Sequence, residues 1–472
     1  MAIRRYRFDI AVVGPVHIGN GMRYGKKDYF ASGNKIAVLD TRKFVSLLDA
    51  RQVKRYCDFL EEDRSYFGLQ GFLKDNSDLS KVAERSIAYR IDSPLATARR
   101  GAIQYHDVWE FVKDPYGNPY IPGSSVKGML RTAILLNVLL EDDSFRSLFD
   151  AAAACGRNTA RKADRSIVKR AFFRERPDKA DPDTVNDIMK YVSVSDSEPL
   201  STDDLVFAKK YDMFSKGDPV DHKLDMGKLT LLKGNVLDVY RECLRPGTTV
   251  SVGITVDDCI DSYFGDRALD AQGLTTMLQR SFDFYSECFL NHFEQEGEAA
   301  SSTGSSAALD GRCRYIIQSG PLKGERCRNR AVNETGYCNS HQGEAAKQQQ
   351  ASDSVTCYLG GGVDFMSKTV VGALFGAEDE RSEAISRILY SQFPTRINRS
   401  KHPDLFGEVR QAGFDPIDMK SQYRRGRLSK AKDDHRHWRD SQLGVSPHTM
   451  KWGIVGKQKY PMGKCDVTIR EA

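Results

Sequence analysis

The chain contains no uninterrupted apolar run long enough to cross a bilayer, which excludes a helical membrane span. Its opening stretch, MAIRRYRFDIAVVG, carries arginines but no h-region and no small-residue cleavage site. A cytoplasmic protein is therefore expected. Positive charge is not abundant either. With 70 Lys/Arg against 64 Asp/Glu the net charge is +6, too small to mark a nucleic-acid binder by itself. No CxxC pair occurs among the 10 cysteines, so the strongest zinc signature is missing. Cys57, Cys155, Cys243, Cys259, Cys288 and Cys465 are scattered and Cys357 is isolated, as small buried residues or free thiols are.

What is present is a soluble globular composition, 40% apolar and 28% charged over 472 residues. That length predicts two or three structural units. Charge is unevenly placed. Residues 396–439 hold twelve Lys/Arg, among them Arg424, Arg425 and Arg427, against six Asp/Glu. This segment alone matches the excess of the whole chain, and such clusters can contact phosphates.

The most informative stretch is 119–140, PYIPGSSVKGMLRTAILLNVLL. Pro122-Gly123 signals a turn, Ser124 and Ser125 stand where an N-cap belongs, and apolar residues at helical spacing follow. Lys127 and Arg131 are i,i+4 partners on another face. Free N–H groups, two hydroxyls and two cations in register suit a phosphate. The Gly-Lys-Ser/Thr ending of a Walker A loop is absent. The same spacing also describes a capped core helix with two solvated cations.

Tyr6, Phe8, Ile10 and Val12 alternate with polar or small residues, as a half-buried strand does. A glycine-rich turn follows, Gly14-Pro15-Val16-His17-Ile18-Gly19-Asn20-Gly21, with Lys26 and Lys27 beyond it. Glycine beside cations lets backbone approach a phosphodiester. His17 could be a general base there, or a packed turn histidine. A hairpin is expected around Ser32-Gly33-Asn34, helix over 41–57 and 269–293, and extended chain over 85–102. Residues 207–225 read as a loop. Gly360-Gly361-Gly362 precedes Ser367-Lys368-Thr369, which is expected to head a helix. Met450, Trp452 and Ile454 alternate before Gly456, and a hairpin is expected there, with Tyr460 to Ile469 as the returning strand.

Two polar stretches, 296–311 and 343–354, bracket an island at 312–342. Cys313, Cys327, Cys338 and His341 within it supply three thiolates and an imidazole, a donor set for structural zinc. So short a segment needs such a staple to fold. The expected organisation is thus a body over 1–296, linkers with the zinc island over 297–354, and a C-terminal part over 355–472.

The motifs at 14–21, Ile121-Pro122-Gly123-Ser124-Ser125-Val126-Lys127-Gly128 with Arg131-Thr132, Gly360-Gly361-Gly362 to Lys368-Thr369, Ser446-Pro447-His448-Thr449 and Tyr460-Pro461-Met462-Gly463 stand in an order similar to that of RAMP-superfamily proteins. As a set they resemble the fifth Csm subunit of type III-A CRISPR–Cas effector complexes. The resemblance implies an α+β, Cas7-like body with RRM (ferredoxin-like) β-α-β folds and helical insertions. It implies a non-catalytic subunit that caps the complex backbone near the 3′ part of the guide RNA and supports guide maturation. Partners would be guide and target RNA, the adjacent backbone RAMP subunit and others, and host nucleases. It favours RNA-backbone contacts at His17, Gly19, Gly21, Lys26, Lys27, Gly123, Ser124, Ser125, Lys127, Arg131, Gly360, Gly361, Gly362, Lys368 and Thr369. Asp28 matches a strand-starting Asp-Tyr rather than a catalytic loop aspartate, and no catalysis is carried to it. The competing function is a metal-independent CRISPR endoribonuclease acting on repeat RNA, with His17 as base and Lys26 or Lys27 at the scissile phosphate.

Overall fold

A computed structural model describes residues 2–32, 35–62, 68–92, 107–153, 159–174, 185–218, 234–264, 268–293, 354–419 and 435–472. In chain order its strands are β1 Ile3–Val12, β2 Gly19–Tyr24, β3 Tyr29–Ser32, β4 Lys35–Leu39, β5 Ile87–Asp92, β6 Val108–Phe111, β7 Val192–Val194, β8 Leu205–Phe214, β9 Gly234–Leu244, β10 Thr249–Asp257, β11 Ser354–Tyr358, β12 Arg396–Ile397, β13 Ile417–Asp418, β14 Thr449–Val455, β15 Gln458–Pro461 and β16 Lys464–Glu471. The chain folds as a mixed α+β structure.

One sheet has the order β11-β16-β1-β10-β7, and every neighbouring pair in it is antiparallel. The alternation in β1 buries Tyr6, Phe8, Ile10 and Val12. Phe8 lies opposite Val252 and Ile469, and Ile10 opposite Val250 and Val467. A one-residue slip would turn this whole set to solvent, so the pattern fixes the register. The helices Gly123–Leu139 and Ala271–Cys288 join this sheet in one hydrophobic core and pack on each other. Asn137 ties them, donating from Nδ2 to the Met277 carbonyl at 2.9 Å. The path β1, first helix, β7, β10, second helix, β16 is β-α-β-β-α-β, with β11 added outside β16.

The second sheet runs β2-β6-β9-β8-β5-β4-β3, with β14 on β8 and β15 on β14. β9 passes through the Pro246-Gly247 turn into β10, so one ribbon links the two sheets. Residues 355–472 supply strands to both sheets begun by the N-terminal residues.

Three local expectations are corrected. The stretch read as a loop over 207–225 begins inside β8, and its residues 219–225 lie outside the described residues. Leu205, Phe207, Tyr211 and Met213 are buried on one face of β8, and adjacent Lys209 and Lys210 disguised that period. Ser367-Lys368-Thr369 heads no helix. Met366–Lys368 is a single 3-10 turn, and the next α-helix is Glu378–Gln392. The β-branched run Thr369-Val370-Val371 opposes α-helix there. The hairpin at β3–β4 forms as expected. After Gly456 the returning strand is the short β15, and most of the expected return over 460–469 is instead β16, which pairs with β1 in the other sheet.

Candidate nucleic-acid interface

Three separated motifs meet where the sheets join. After β1 the Gly14 N–H donates to the Lys464 carbonyl at 2.9 Å, and Gly463 N–H donates to Pro15 O at 2.9 Å. Leu359 N–H donates to Gly463 O at 2.8 Å, and Gly361 N–H to His17 O at 2.6 Å. The first glycine turn, the 360–362 loop and the 460–463 motif are therefore one knot of backbone. Gly360 shows why glycine is needed. Its φ is +85°, and a Cβ would stand 2.3 Å from the His17 carbonyl oxygen.

His17 is part of the knot. It is 6% exposed, and its Nδ1–H donates to the Glu242 carbonyl at 2.7 Å. Burial pulls its pKa down to about 4, so the ring is neutral at physiological pH. The Glu242 side chain, on the next layer in, is 0% exposed. Its carboxylate accepts from Tyr24 Oη at 2.6 Å, Tyr89 Oη at 2.8 Å, the Phe111 N–H at 2.9 Å and Lys113 Nζ at 2.7 Å. Four donors from β2, β5, β6 and the segment after β6 satisfy one buried anion.

The other face of the same strands is cationic. Arg241 lies opposite Ala208, Lys210 opposite Gly453, and Lys451 opposite Asp212. In a strand, alternate residues share a face. Ala208, Lys210 and Asp212 therefore point with Arg241 and Lys451 toward the side where Pro15, Val363 and Met462 pack. Lys451 Nζ is 3.0 Å and Lys210 Nζ 3.5 Å from one Asp212 oxygen. Arg241 is half-buried, and among the described residues its guanidinium meets no hydrogen-bond acceptor. Gly362 lies directly over it, with its missing Cβ 3.1 Å from Arg241 Cζ. Burial lowers the pKa of both Arg241 and Lys210, and neighbouring cations lower Lys210 further, while the Asp212 carboxylate opposes the shift of both. Cations crowded this way favour an arriving anion.

The remaining expected contacts are dispersed. Gly19 stands against His17, and Gly21 opens to solvent at φ +85°. Lys27 donates to the carbonyls of Leu60 and Glu62, the latter at 2.9 Å, so it caps the end of the helix Ala50–Glu61. The Lys26 carbonyl accepts the Leu69 N–H at 2.8 Å. The helix Gly123–Leu139 starts with Pro122 at its N-cap, so neither Ser124 nor Ser125 is the cap. The Gly123 N–H instead donates to Asp196 Oδ1 at 2.7 Å, and this carboxylate sits where a phosphate was expected. Arg131 pairs with Asp187 at 2.6 Å and lies over the Phe172 ring. Burial lowers Lys127, with Arg131 adding to the effect and Asp187 opposing it. Gly123 abuts edge strand β7, whereas Gly360 follows β11 at the other edge of that sheet. The two glycine–cation motifs are thus separate places. Lys368 Nζ is 3.5 Å from the Tyr358 carbonyl, and the Thr369 hydroxyl accepts the Val371 N–H at 3.3 Å. Arg424, Arg425, Arg427, Cys313, Cys327, Cys338 and His341 lie outside the described residues.

Sequence reasoning missed Arg241, Lys210 and Lys451. The available signal was alternation in YRECL and FAKKYDMF, which would have placed Arg241 and Cys243, or Ala208, Lys210 and Asp212, on one strand face.

Asp364 closes the knot from beneath. It accepts the Lys451 N–H at 2.6 Å and the Tyr285 hydroxyl at 3.1 Å. Burial pushes its pKa up from the ordinary carboxylate range to about 7. The native state then binds more protons than the unfolded chain between about pH 4 and about pH 7, so this group's contribution falls as pH rises through that window. Asp364→Asn is expected to flatten the slope and to be relatively more stable at alkaline pH. Urea midpoints of both proteins across that range check it; parallel pH profiles would refute it.

The described residues include no helix long and apolar enough to cross a membrane. The family model of the RAMP superfamily matches residues 9–289, more than half of the chain, and the protein belongs to that superfamily. Among its relatives, the CRISPR system Cms protein Csm5 of Mycobacterium tuberculosis (strain CDC 1551 / Oshkosh) is 27% identical over 273 residues, covering 54% of this chain and 67% of the relative. The Csm5 of Streptococcus thermophilus is 29% identical over 262 residues, covering 53% of this chain and 64% of the relative. The match thus spans about two thirds of the relatives' length. A chain in the cryo-EM structure of a Csm–crRNA–target RNA ternary complex of a type III-A CRISPR–Cas system superposes with a TM-score of 0.54 at 17% identity, covering 99% of this chain and 100% of that one. This likeness is one of fold.

Proposed function

We propose that this chain is a subunit of a type III-A CRISPR RNA-guided effector complex that holds the guide RNA by its backbone without cutting it. The relatives named Csm5 support the assignment to such a complex, and the β-α-β-β-α-β path supports an RRM-type body. The observation that carries RNA binding is the Arg241 guanidinium, half-buried under Gly362, with no acceptor among the described residues, and next to Lys210, which in turn neighbours Lys451. A phosphodiester placed there would meet charge-assisted donors, leaving the bases free to pair. Capping of the complex near the 3′ part of the guide, a role in guide maturation, target-RNA binding and contact with the adjacent RAMP subunit belong to the same reading. The ribonuclease alternative finds little support. His17 is buried and neutral, and Lys27 is spent on a helix terminus.

The test is the affinity of the purified chain for single-stranded repeat-derived RNA across a salt series. Arg241→Ala with Lys451→Ala is expected to weaken binding roughly 10- to 100-fold and to reduce the salt slope by about 0.7 per lost contact. Lys127→Ala with Arg131→Ala is the comparison. If only that pair weakens binding, the strand runs past the helix start near β7 instead. If neither pair matters and the RNA stays bound, the knot is not an RNA site.

A further inference from the structure

Of the Ser446-Pro447-His448-Thr449 motif only Thr449 touches the cationic face, its hydroxyl accepting from Lys451 Nζ at 3.1 Å. The rest belongs to a second polar cluster behind β14. The 3-10 helix His437–Leu443 places His437 and Asp440 on one side, because residues three apart eclipse in that geometry. Gly444, at φ +70°, ends it in the left-handed conformation. The chain then returns His448 to the same carboxylate. His448 Nδ1 is 2.6 Å from Asp440 Oδ1, and His437 Nδ1 is 3.0 Å from Asp440 Oδ2. The Ser446 hydroxyl donates to Asp440 Oδ2 at 2.6 Å.

Asp440 is 0% exposed, and among the described residues no lysine or arginine pairs with it. A buried anion needs a compensating positive charge. Here that charge is either a proton on an imidazole or a bound cation.

We propose that His437, Asp440 and His448 bind one divalent transition ion of the zinc type. One ligand atom from each residue lies within 4.8 Å of the other two. Bonds of about 2.0–2.2 Å to a tetrahedral ion require donor atoms roughly 3.3 Å apart. Small side-chain rotations supply the difference. Two imidazoles and one carboxylate suit zinc or cobalt rather than magnesium or calcium, which prefer all-oxygen shells. On binding, each ring coordinates through a deprotonated Nδ1 and keeps one proton on Nε2, and the extra proton that balanced Asp440 in the metal-free protein is released to solvent as the ion takes its place. The ion would staple the 3-10 helix to the start of β14, the strand that carries Lys451. This site shares no residue with the expected Cys313, Cys327, Cys338 and His341 set and has no thiolate.

That difference makes the site testable in the full chain. Chelator-treated protein is titrated with cobalt(II) and followed by absorption. We expect an ion with visible d–d bands but no thiolate charge-transfer band. His437→Gln with His448→Gln should remove this ion and leave unchanged any thiolate band from 313–341. The absence of a nitrogen–oxygen cobalt signal, or its persistence in that variant, overturns the proposal. Wild-type protein labelled with 15N-histidine is the safeguard against poor folding of the variant. Zinc should shift the Nδ1 resonances of both His437 and His448, and unshifted resonances under saturating zinc would also overturn it.

Discussion

Glu242→Ala is expected to destabilise the protein by about 3–5 kcal/mol, the usual consequence of removing one partner of a buried ion pair. The side chain is fully buried, so solvent screening offers no relief. Alanine would strand the Lys113 ammonium, whose side chain is 8% exposed, together with the Tyr24 and Tyr89 hydroxyls and the Phe111 N–H. Among the described residues Lys113 keeps only Glu110 as an acidic partner, at 3.2 Å. Glu242→Gln should cost less, because an amide oxygen still accepts from the two tyrosines while the charge is lost. Chemical unfolding of the three proteins separates these cases. A loss under about 1 kcal/mol for alanine would mean that water reaches the network. The consequence extends to the RNA site, because Arg241 precedes Glu242 on β9 and the two side chains hold opposite faces of one strand.

Why the sequence disclosed some of this and not the rest follows from range. β1 was legible because its alternation records a single buried face. The helix Gly123–Leu139 was legible because Val126, Met129, Leu130, Ala133 and Ile134 repeat at helical spacing within a few turns. Both signals are local. Glu242 has no local signal: an acid in a strand reads as solvent-facing, and it is Tyr24, Tyr89, the Phe111 N–H and Lys113, from distant parts of the chain, that make its burial tolerable. Asp196 is a similar case, reaching the Gly123 amide from the segment just after β7 and displacing the cap expected at Ser124. Lys27 looked like a phosphate ligand beside a glycine turn because the carbonyls it caps, Leu60 and Glu62, come from a later helix. The glycines of the three loops were recognisable as special, but their meeting required both sheets to be in place first.

Gly360→Ala is expected to destabilise the fold by about 3 kcal/mol and to weaken RNA binding as well. Two effects add. A left-handed backbone costs a residue bearing Cβ roughly 1–2 kcal/mol, and φ here is +85°. The new Cβ would also stand 2.3 Å from His17 O, the atom that accepts the Gly361 N–H at 2.6 Å. Relief requires the loop to move away from His17, which breaks that bridge and carries Gly362 off Arg241. Gly361→Ala is the internal control. Its Cβ would meet nothing closer than 3.6 Å, and no left-handed φ is required there, so it should lose less than about 0.5 kcal/mol. Unfolding and RNA affinity measured on both variants distinguish a pinned loop from a loose one. If the two alanines behave alike, the bridge between His17 and Gly361 does not hold the loop, and the placement of Gly362 over Arg241 loses its physical basis.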